Sequence, residues 1–361
     1  MIYNSRINRI LNRNNVLGVE AYLIMKPENI YYLSGFSGSS AAIIIYKDKK
    51  IFLTDFRYME QAKKQVKNFQ IEEIERGLLK GISQRINENN IKKIAFESSY
   101  VNHSQYLALN KLLKDVEFVS DPGGLEIIRM IKSDKEIILI KDAINSAEKV
   151  LEEVLPLIVP GFTEREISSE LEYRFRKFGG DSSSFLPIVA AGKNSACPHH
   201  VPTDYKFQNG DILKIDFGLK KNGYCSDMTR SFFMGNITKK GKLIYDIVLK
   251  AQEEAINIIQ PGIKASLVDE TARKIINNSG YGEYFGHGLG HGIGLEVHER
   301  PSISNTNNVF LRPGMIFTVE PGIYIPDFGG IRIEDIILVT DRGCENLSNF
   351  SKQISILCRN T

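Results

Sequence analysis

Two ten-residue stretches, NGDILKIDFG (209–218) and PGMIFTVEPG (313–322), narrow what this chain can fold into more than any other feature. Each runs from a glycine through apolar residues flanking a polar one to an acid, with another glycine two residues on. Gly210, Asp216 and Gly218 thus match Gly314, Glu320 and Gly322 at an offset of 104. Upstream, Pro160-Gly161-Phe162 and Pro261-Gly262-Ile263 each end one helical run and open another, at an offset of 101. The common order and near-equal offset predict two related halves packed against each other. Each half then carries an acid inside an otherwise apolar strand.

A second acid follows in each half. In KIDFGLKKNGYCSDMTRSFF the pair Asn222-Gly223 signals a hairpin turn. Either a two-residue loop there or a four-residue loop centred one position earlier leaves Asp216 and Asp227 on one sheet face; a three-residue loop separates them. In VEPGIYIPDFGGIRIEDIILVT, Glu320 and Glu334 lie on two extended runs joined by a Pro- and Gly-rich connection. Ile331, Ile333 and the run 336–339 make Glu334 an acid in a strand that otherwise wants burial. A buried charge needs a partner. Salt bridges are the ordinary one, and Arg332 can pair with Glu334, but Lys214 and Arg230 are too few to neutralise four acids. A pair of divalent cations would do so.

The segment GHGLGHGIGLEVHERP (286–301) holds His287, His291 and His298, half of the six histidines. On a helix, two histidines four apart can grip one zinc ion. Here the glycines at 286, 288, 290, 292 and 294 would each cost a helix about 1 kcal/mol, and no HExxH or GxGxxG frame is present. The segment is therefore a loop running into an extended stretch, with His291 and His298 facing something close. Four carboxylates and one imidazole describe a site for two metals roughly 3.5 Å apart. Such oxygen-rich ligation favours manganese or cobalt-like octahedral geometry over a structural zinc.

A chain of 361 residues predicts two domains. The first 120 residues alternate patterns as an α/β unit: a helix near 3–15, a strand at 21–25, apolar runs at 41–46 and 51–53, and a charged helix after Asp55. Asp121-Pro122-Gly123-Gly124 is a breaker, and Ser133-x-x-Glu136 has the form of a capping box opening a helix around 133–155. The domains are thus assigned to 1–124 and 125–361. With 46 Lys and Arg against 43 Asp and Glu, the net charge of +3 makes no electrostatic case for nucleic acid or membrane as a partner. No apolar run reaches the roughly 18 residues of a membrane span, and the N-terminus lacks the apolar core of a signal peptide, which points to the cytoplasm. Cys197, Cys225, Cys344 and Cys358 form no CxxC, so neither a disulfide framework nor a thiolate zinc site is indicated.

The motifs KIDFG, CSDMTR, GHGLGHGIGLEVHERP, TVEPGIY and GIRIEDIILVT, with NSACPHH before the first acid, resemble the pita-bread metallopeptidases over essentially 125–345. Within them they resemble the proline-specific branch, aminopeptidase P and prolidase. NIYYLSGFSGSSAAIIIYKDKKIFLTDFRYMEQA resembles the smaller creatinase-type domain that precedes the catalytic one in this branch. The resemblance implies an α+β chain: a pita-bread domain with pseudo-twofold halves around a dinuclear metal site, after a smaller α/β domain.

It implies metal ligation by Asp216, Asp227, His291, Glu320 and Glu334, with Asp227 and Glu334 bridging two ions, manganese with cobalt or zinc as alternatives. His199 would face the substrate and His287 and His298 the scissile peptide; Arg332 would support the second bridging acid. His298 would steady the oxyanion and Glu320 would pass a proton to the leaving nitrogen. The resemblance assigns His200 no role, and His103 reads as a surface or packing residue. The first half has no histidine matching His291, so the site would be chemically asymmetric. The implied reaction is hydrolysis before proline by hydroxide from a metal-bridged water, as an Xaa-Pro aminopeptidase or alternatively an Xaa-Pro dipeptidase, in a homodimer. A metal-free creatinase-like amidinohydrolase lacks this acid set, and a non-catalytic peptide-binding module would have lost ligands. The extra N-terminal domain argues against methionine aminopeptidase.

Overall fold

The computed structural model describes residues 2–75 and 77–358; positions 1, 76 and 359–361, inside the ranges assigned to the two domains, lie outside them. Two compact units meet in sequence between Arg129 and Met130. In the first, β1 (Ala21–Ile24), β2 (Ala41–Tyr46), β3 (Lys49–Thr54), β4 (Gln70–Glu73), β5 (Lys93–Phe96) and β6 (Glu117–Ser120) form a mixed sheet in the order β4-β3-β2-β1-β5-β6. Leu23, Ile43, Ile44 and Phe52 are fully buried. Strands covered on both faces read as continuous apolar runs, which is why β1 to β3 show little alternation. Helices Ile2–Leu17 and Met59–Gln65 stand where a helix near 3–15 and a charged helix after Asp55 are predicted.

The second unit is built twice from the same parts. Its first half has helices α1 (Asp134–Val154) and α2 (Glu164–Lys177) with strands β7 (Ile188–Ala191), β8 (Ile212–Phe217) and β9 (Met228–Met234). Its second half has α3 (Lys239–Asn257) and α4 (Ala265–Asn278). The strands there are β10 (Gly290–Gly292), β11 (Glu299–Ile303), β12 (Ile316–Val319), the hairpin β13 (Gly322–Ile325) and β14 (Gly329–Arg332), and β15 (Asp335–Val339). The Glu136 carboxylate accepts from Ser133 N at 3.0 Å and Ser133 Oγ at 2.7 Å, which starts α1 where the capping box predicts. Ile140, Ile144, Ala147, Leu151 and Val154 recur at helical spacing on α1 and are buried. Most of them share one core with Leu213, Ile215 and Phe217. Burying each Leu or Ile contributes about 1.5–3 kcal/mol, so a charge at Leu151 would detach the helix. Ile244, Val248, Ala251 and Ala255 of α3 do the same against Phe317, Val319 and Ile337.

The repeat is visible in individual hydrogen bonds. Gly161 N donates to Phe207 O while Phe207 N donates to Phe162 O; Gly262 N donates to Leu311 O while Leu311 N donates to Ile263 O. Gly210 N bonds Met234 O at 2.7 Å, and Gly314 N bonds Val339 O at 2.9 Å. All four of these glycines have positive φ, between 84° and 97°, a backbone state that disfavours a side chain.

Between β8 and β9, Asn222 (φ 51°) and Gly223 (φ 79°) form the two-residue loop, with Lys221 paired to Tyr224. The register continues to Phe217 opposite Met228 and Asp216 opposite Thr229. Asp227 lies two residues before Thr229 and so shares the face of Asp216. The glycine-rich segment is a loop broken by the short strand β10 and running into β11, and two of its glycines are packing requirements. A Cβ on Gly290 would sit 1.9 Å from Thr318 O, and one on Gly292 would sit 2.2 Å from Arg300 O.

Candidate metal centre

The start of β9 docks on the residues before β15, and this joins the acids of the two halves. Glu334 N donates to Thr229 O at 3.2 Å, and Arg230 Nη1 donates to Glu334 O at 2.5 Å. Ser231 Oγ donates to Arg332 O at 3.0 Å. In consequence Asp216, Asp227, Glu320 and Glu334 line one cavity of about 610 Å³, together with His199, His287, His291, His298 and Arg332. Every residue that the sequence marks for the site is therefore on its wall. His103 is exposed at the start of helix His103–Leu112.

Asp227, His291 and Glu334 each offer a donor atom within 4.8 Å of the others, a set that could hold a metal ion. His291 Nε2 lies 3.3 Å from Glu320 Oε1 and 3.5 Å from Asp227 Oδ2. Arg332 Nη2 donates to Asp216 Oδ2. The other oxygen, Asp216 Oδ1, is buried without a hydrogen-bond partner among the described residues. The sequence leaves Arg332 free to pair with Glu334, and the resemblance has it support that acid. In the structure its guanidinium is on Asp216 and reaches Glu334 through a hydroxyl. Arg332 Nε donates to Thr229 Oγ1 at 2.9 Å, and Thr229 Oγ1 donates to Glu334 Oε2 at 2.7 Å.

The cluster is short of positive charge. Burial, then the charges of Glu334, Asp216 and Glu320, hold the Asp227 carboxyl well above its ordinary range. Burial, then Glu320 and Asp216, do the same to Glu334. Glu320 differs: burial would raise it, but the hydrogen bond and charge of His291, with Arg332, bring it down to about 2. Burial would lower His291, but Glu320, with the Gly292 carbonyl and Asp216, raises it. Lys214 makes no salt bridge among the described residues; its Nζ donates to the carbonyls of Ser195 (3.1 Å), Cys197 (2.6 Å) and Pro198 (3.3 Å). Four carboxylates thus face Arg332 and His291, with Asp216 Oδ1 buried and unpaired among the described residues. That is a donor set which added cations would complete.

Residues 138–341 match the sequence profile of metallopeptidase family M24, and residues 6–131 match that of the creatinase/prolidase N-terminal domain. The chain belongs to metallopeptidase family M24. Its architecture is the α+β pita-bread fold preceded by a creatinase-type domain. The M24 chain is 37% identical to a Xaa-Pro dipeptidase of Pyrococcus horikoshii, over 98% of this chain and 99% of that protein. Among solved structures, a Xaa-Pro dipeptidase from Bacillus anthracis is 40% identical with a TM-score of 0.96, covering 98% of this chain and 100% of the other. An X-Pro aminopeptidase from Thermotoga maritima is 39% identical with a TM-score of 0.89, covering 96% and 100%. No helix among the described residues of this M24 chain is long and apolar enough to cross a membrane.

Behind the acids, the hydrogen bonds of this M24 peptidase set a histidine's protonation. Arg332 Nη1 donates to Tyr324 Oη at 3.0 Å, and Tyr324 Oη lies 2.9 Å from His287 Nε2. His287 Nδ1 lies 2.7 Å from Gly288 O, which can only accept. Nδ1 must therefore carry the hydrogen, and Nε2 accepts from the tyrosine. Burial also holds the His287 pKa below its usual value. His287 is thus a neutral imidazole with both nitrogens engaged. His298 differs, stacking edge-on against His291 at 4.3 Å with no hydrogen bond to its ring among the described residues. Its pKa is lowered by burial and by the charge of His291.

Four residues in and around this site carry no such role in the sequence patterns: Thr229, Tyr324, Lys214 as a group that binds carbonyls, and Glu164, which bonds His200. Tyr324 closes the motif TVEPGIY, and Lys214 shares a strand face with Asp216, two signals that were available. Glu164 had none, since an acid after a threonine at a helix start reads as an ordinary first-turn residue.

Proposed function

We propose that this M24 peptidase is an Xaa-Pro dipeptidase that hydrolyses the bond between the first residue and proline. The observation that carries the reading is the convergence of four carboxylates and one imidazole from two half-repeats, with Asp216 Oδ1 left unpaired. It is supported by whole-length identity of 37% and 40% to proteins named Xaa-Pro dipeptidase. Asp216, Asp227, His291, Glu320 and Glu334 would hold two divalent ions, manganese for an oxygen-rich set, with cobalt or zinc as alternatives. When bound, such ions supply Lewis acidity, polarising a carbonyl and lowering the pKa of water.

The remaining chemistry belongs to the chain. Glu320 is a carboxylate at neutral pH and would take up a proton and pass it to the leaving nitrogen as the reaction proceeds. His298, with its ring nitrogens uncommitted among the described residues, would donate to the oxygen of the reacting carbonyl. His199 would bind the peptide from the opposite loop, while Arg332, Tyr324 and Gly288 hold His287 neutral behind it. A proline nitrogen has no N–H and a fixed φ, which rewards a cavity shaped for the ring.

A second reading, Xaa-Pro aminopeptidase, is favoured by one feature of the cavity. Among the described residues on its wall, Arg332 is the only Arg or Lys, and it is committed to Asp216, Thr229, Tyr324 and Pro198 O. The C-terminal carboxylate of a dipeptide would therefore find no free guanidinium or ammonium group on that wall. A longer peptide places no carboxylate there. The test compares Ala-Pro with Ala-Pro-Ala, in manganese-supplemented and metal-stripped buffer. Turnover of the dipeptide alone means a dipeptidase, and alanine released from the tripeptide means an aminopeptidase. Equal turnover with and without metal would sink the metal-dependent reading of both. The homodimer that belongs to this reading is checked by sedimentation.

A further inference from the structure

Glu164, at the start of α2, is fully buried, and its two carboxylate oxygens collect five hydrogen bonds. Oε1 accepts from Ala191 N at 2.8 Å and Asn194 Nδ2 at 3.0 Å. Oε2 accepts from Thr203 N at 2.9 Å and Thr203 Oγ1 at 2.7 Å, and lies 2.8 Å from His200 Nε2. A carboxylate at a helix start normally faces solvent and the helix dipole. This one turns inward and binds both ends of the segment 191–203.

His199 lies inside that segment and on the cavity wall. On its other side, Pro198 O accepts from Lys214 Nζ and Arg332 Nη1, each at 3.3 Å. The loop is therefore pinned immediately before His199 by two cations and immediately after it by one anion. We propose that Glu164 is a positioning residue, which acts through His200 and Thr203 to hold His199 against the peptide and so sets substrate affinity. This rests on the peptidase reading above. It also gives His200 a function, as the imidazole whose Nε2–H binds the anchor. The anchor must accept only: five donors converge on it, and a glutamine would point its own N–H₂ at one set of them.

The test is a double-mutant cycle between Glu164→Gln and His199→Ala on Xaa-Pro substrates. With His199 present, E164Q lowers kcat/KM about tenfold, through KM and with kcat held within about twofold. In the H199A background the same change costs less than about twofold, because its route to the substrate is gone. Metal content by mass spectrometry stays at the wild-type level, and hydrogen exchange of the 191–203 amides speeds up. Asn194→Ala removes one donor of the five from outside the cavity wall and shifts each readout the same way by less; it decides the matter if E164Q does not fold. Independent, multiplicative losses in the cycle, an unchanged KM, or unchanged exchange at 191–203 would overturn the proposal. If the wild-type enzyme cleaves no Xaa-Pro peptide, the peptidase reading falls instead, and the exchange measurement alone decides whether Glu164 holds the loop.

Discussion

Glu97 in the first unit and Asp227 in the second are both buried carboxyls pushed above their ordinary range, and they are built in opposite ways. Burial carries Glu97 up to about 7 against donors that pull it down. Met25 N (2.6 Å) and Lys26 N (2.8 Å) bond one oxygen, and Asn29 Nδ2 (2.6 Å) bonds the other. Asp227 is raised by burial and then by Glu334, Asp216 and Glu320, all of which share its cavity. A raised acid is therefore not by itself a mark of function. Like charges converging with too few donors are that mark, because nothing in the folded chain repays their desolvation.

Asp227→Asn should separate the two sites most sharply. We expect kcat/KM to fall more than ~100-fold, beyond the 10–100-fold typical of residues that only support a metal ligand. Bound metal is lost, and the metal-free variant gains thermal stability as a repulsion is removed. Glu97→Gln should do the reverse, leaving metal content and turnover intact. A D227N enzyme with full metal and activity, or an E97Q enzyme that lost both, would break the comparison.

The pH dependence of Glu97 comes next. Its folded pKa, about 7 against an ordinary 4.5, means that the folded state holds the proton more tightly. The stabilisation, roughly 3 kcal/mol, is fully present below about pH 4.5 and is lost as pH rises through 7. Hydrogen exchange of the β1 and β5 amides at pH 5 and pH 8 should report it. The slope should vanish in E97Q and be indifferent to added manganese; a slope that manganese flattens would place the titrating group elsewhere.

Thr229→Val removes the hydroxyl between Arg332 and Glu334, and should weaken metal binding ~10–100-fold with the fold intact. Titration of the metal-stripped protein by calorimetry measures this. Gly223→Ala should have the smallest effect, about 1–2 kcal/mol in denaturant unfolding for a side chain in the left-handed region, with metal affinity unchanged. If G223A abolished metal binding, the register of Asp216 against Asp227 would depend on the turn far more than the six residue pairs of β8 and β9 allow.

Much of this was legible along the chain because its causes are local. The Asn222-Gly223 loop, the Ser133–Glu136 start of α1, the helical spacing of α1 and α3, and the refusal of 286–301 to form a helix all follow from residues a few positions apart. The half-repeat was legible from Gly161 and Gly262, whose hydrogen bonds recur, and it put an acid in each half. The relation of Arg332 to Glu334 was not legible. Adjacency suggested a direct pair, while the actual partner of the guanidinium, Asp216, lies 116 residues away in sequence.

The amino-acid order alone thus determined the elements, the duplication, and which acids and imidazoles would be costly to bury without company. Tertiary structure decided their company. It brought β9 against the residues before β15, left Asp216 Oδ1 unmatched, and sent Lys214 to three carbonyls and Glu164 to five donors. Periodicity and turn chemistry are short-range and can be read residue by residue. A hydrogen-bond partner far away in sequence is chosen only when the halves close, by whichever groups would otherwise be buried unpaired.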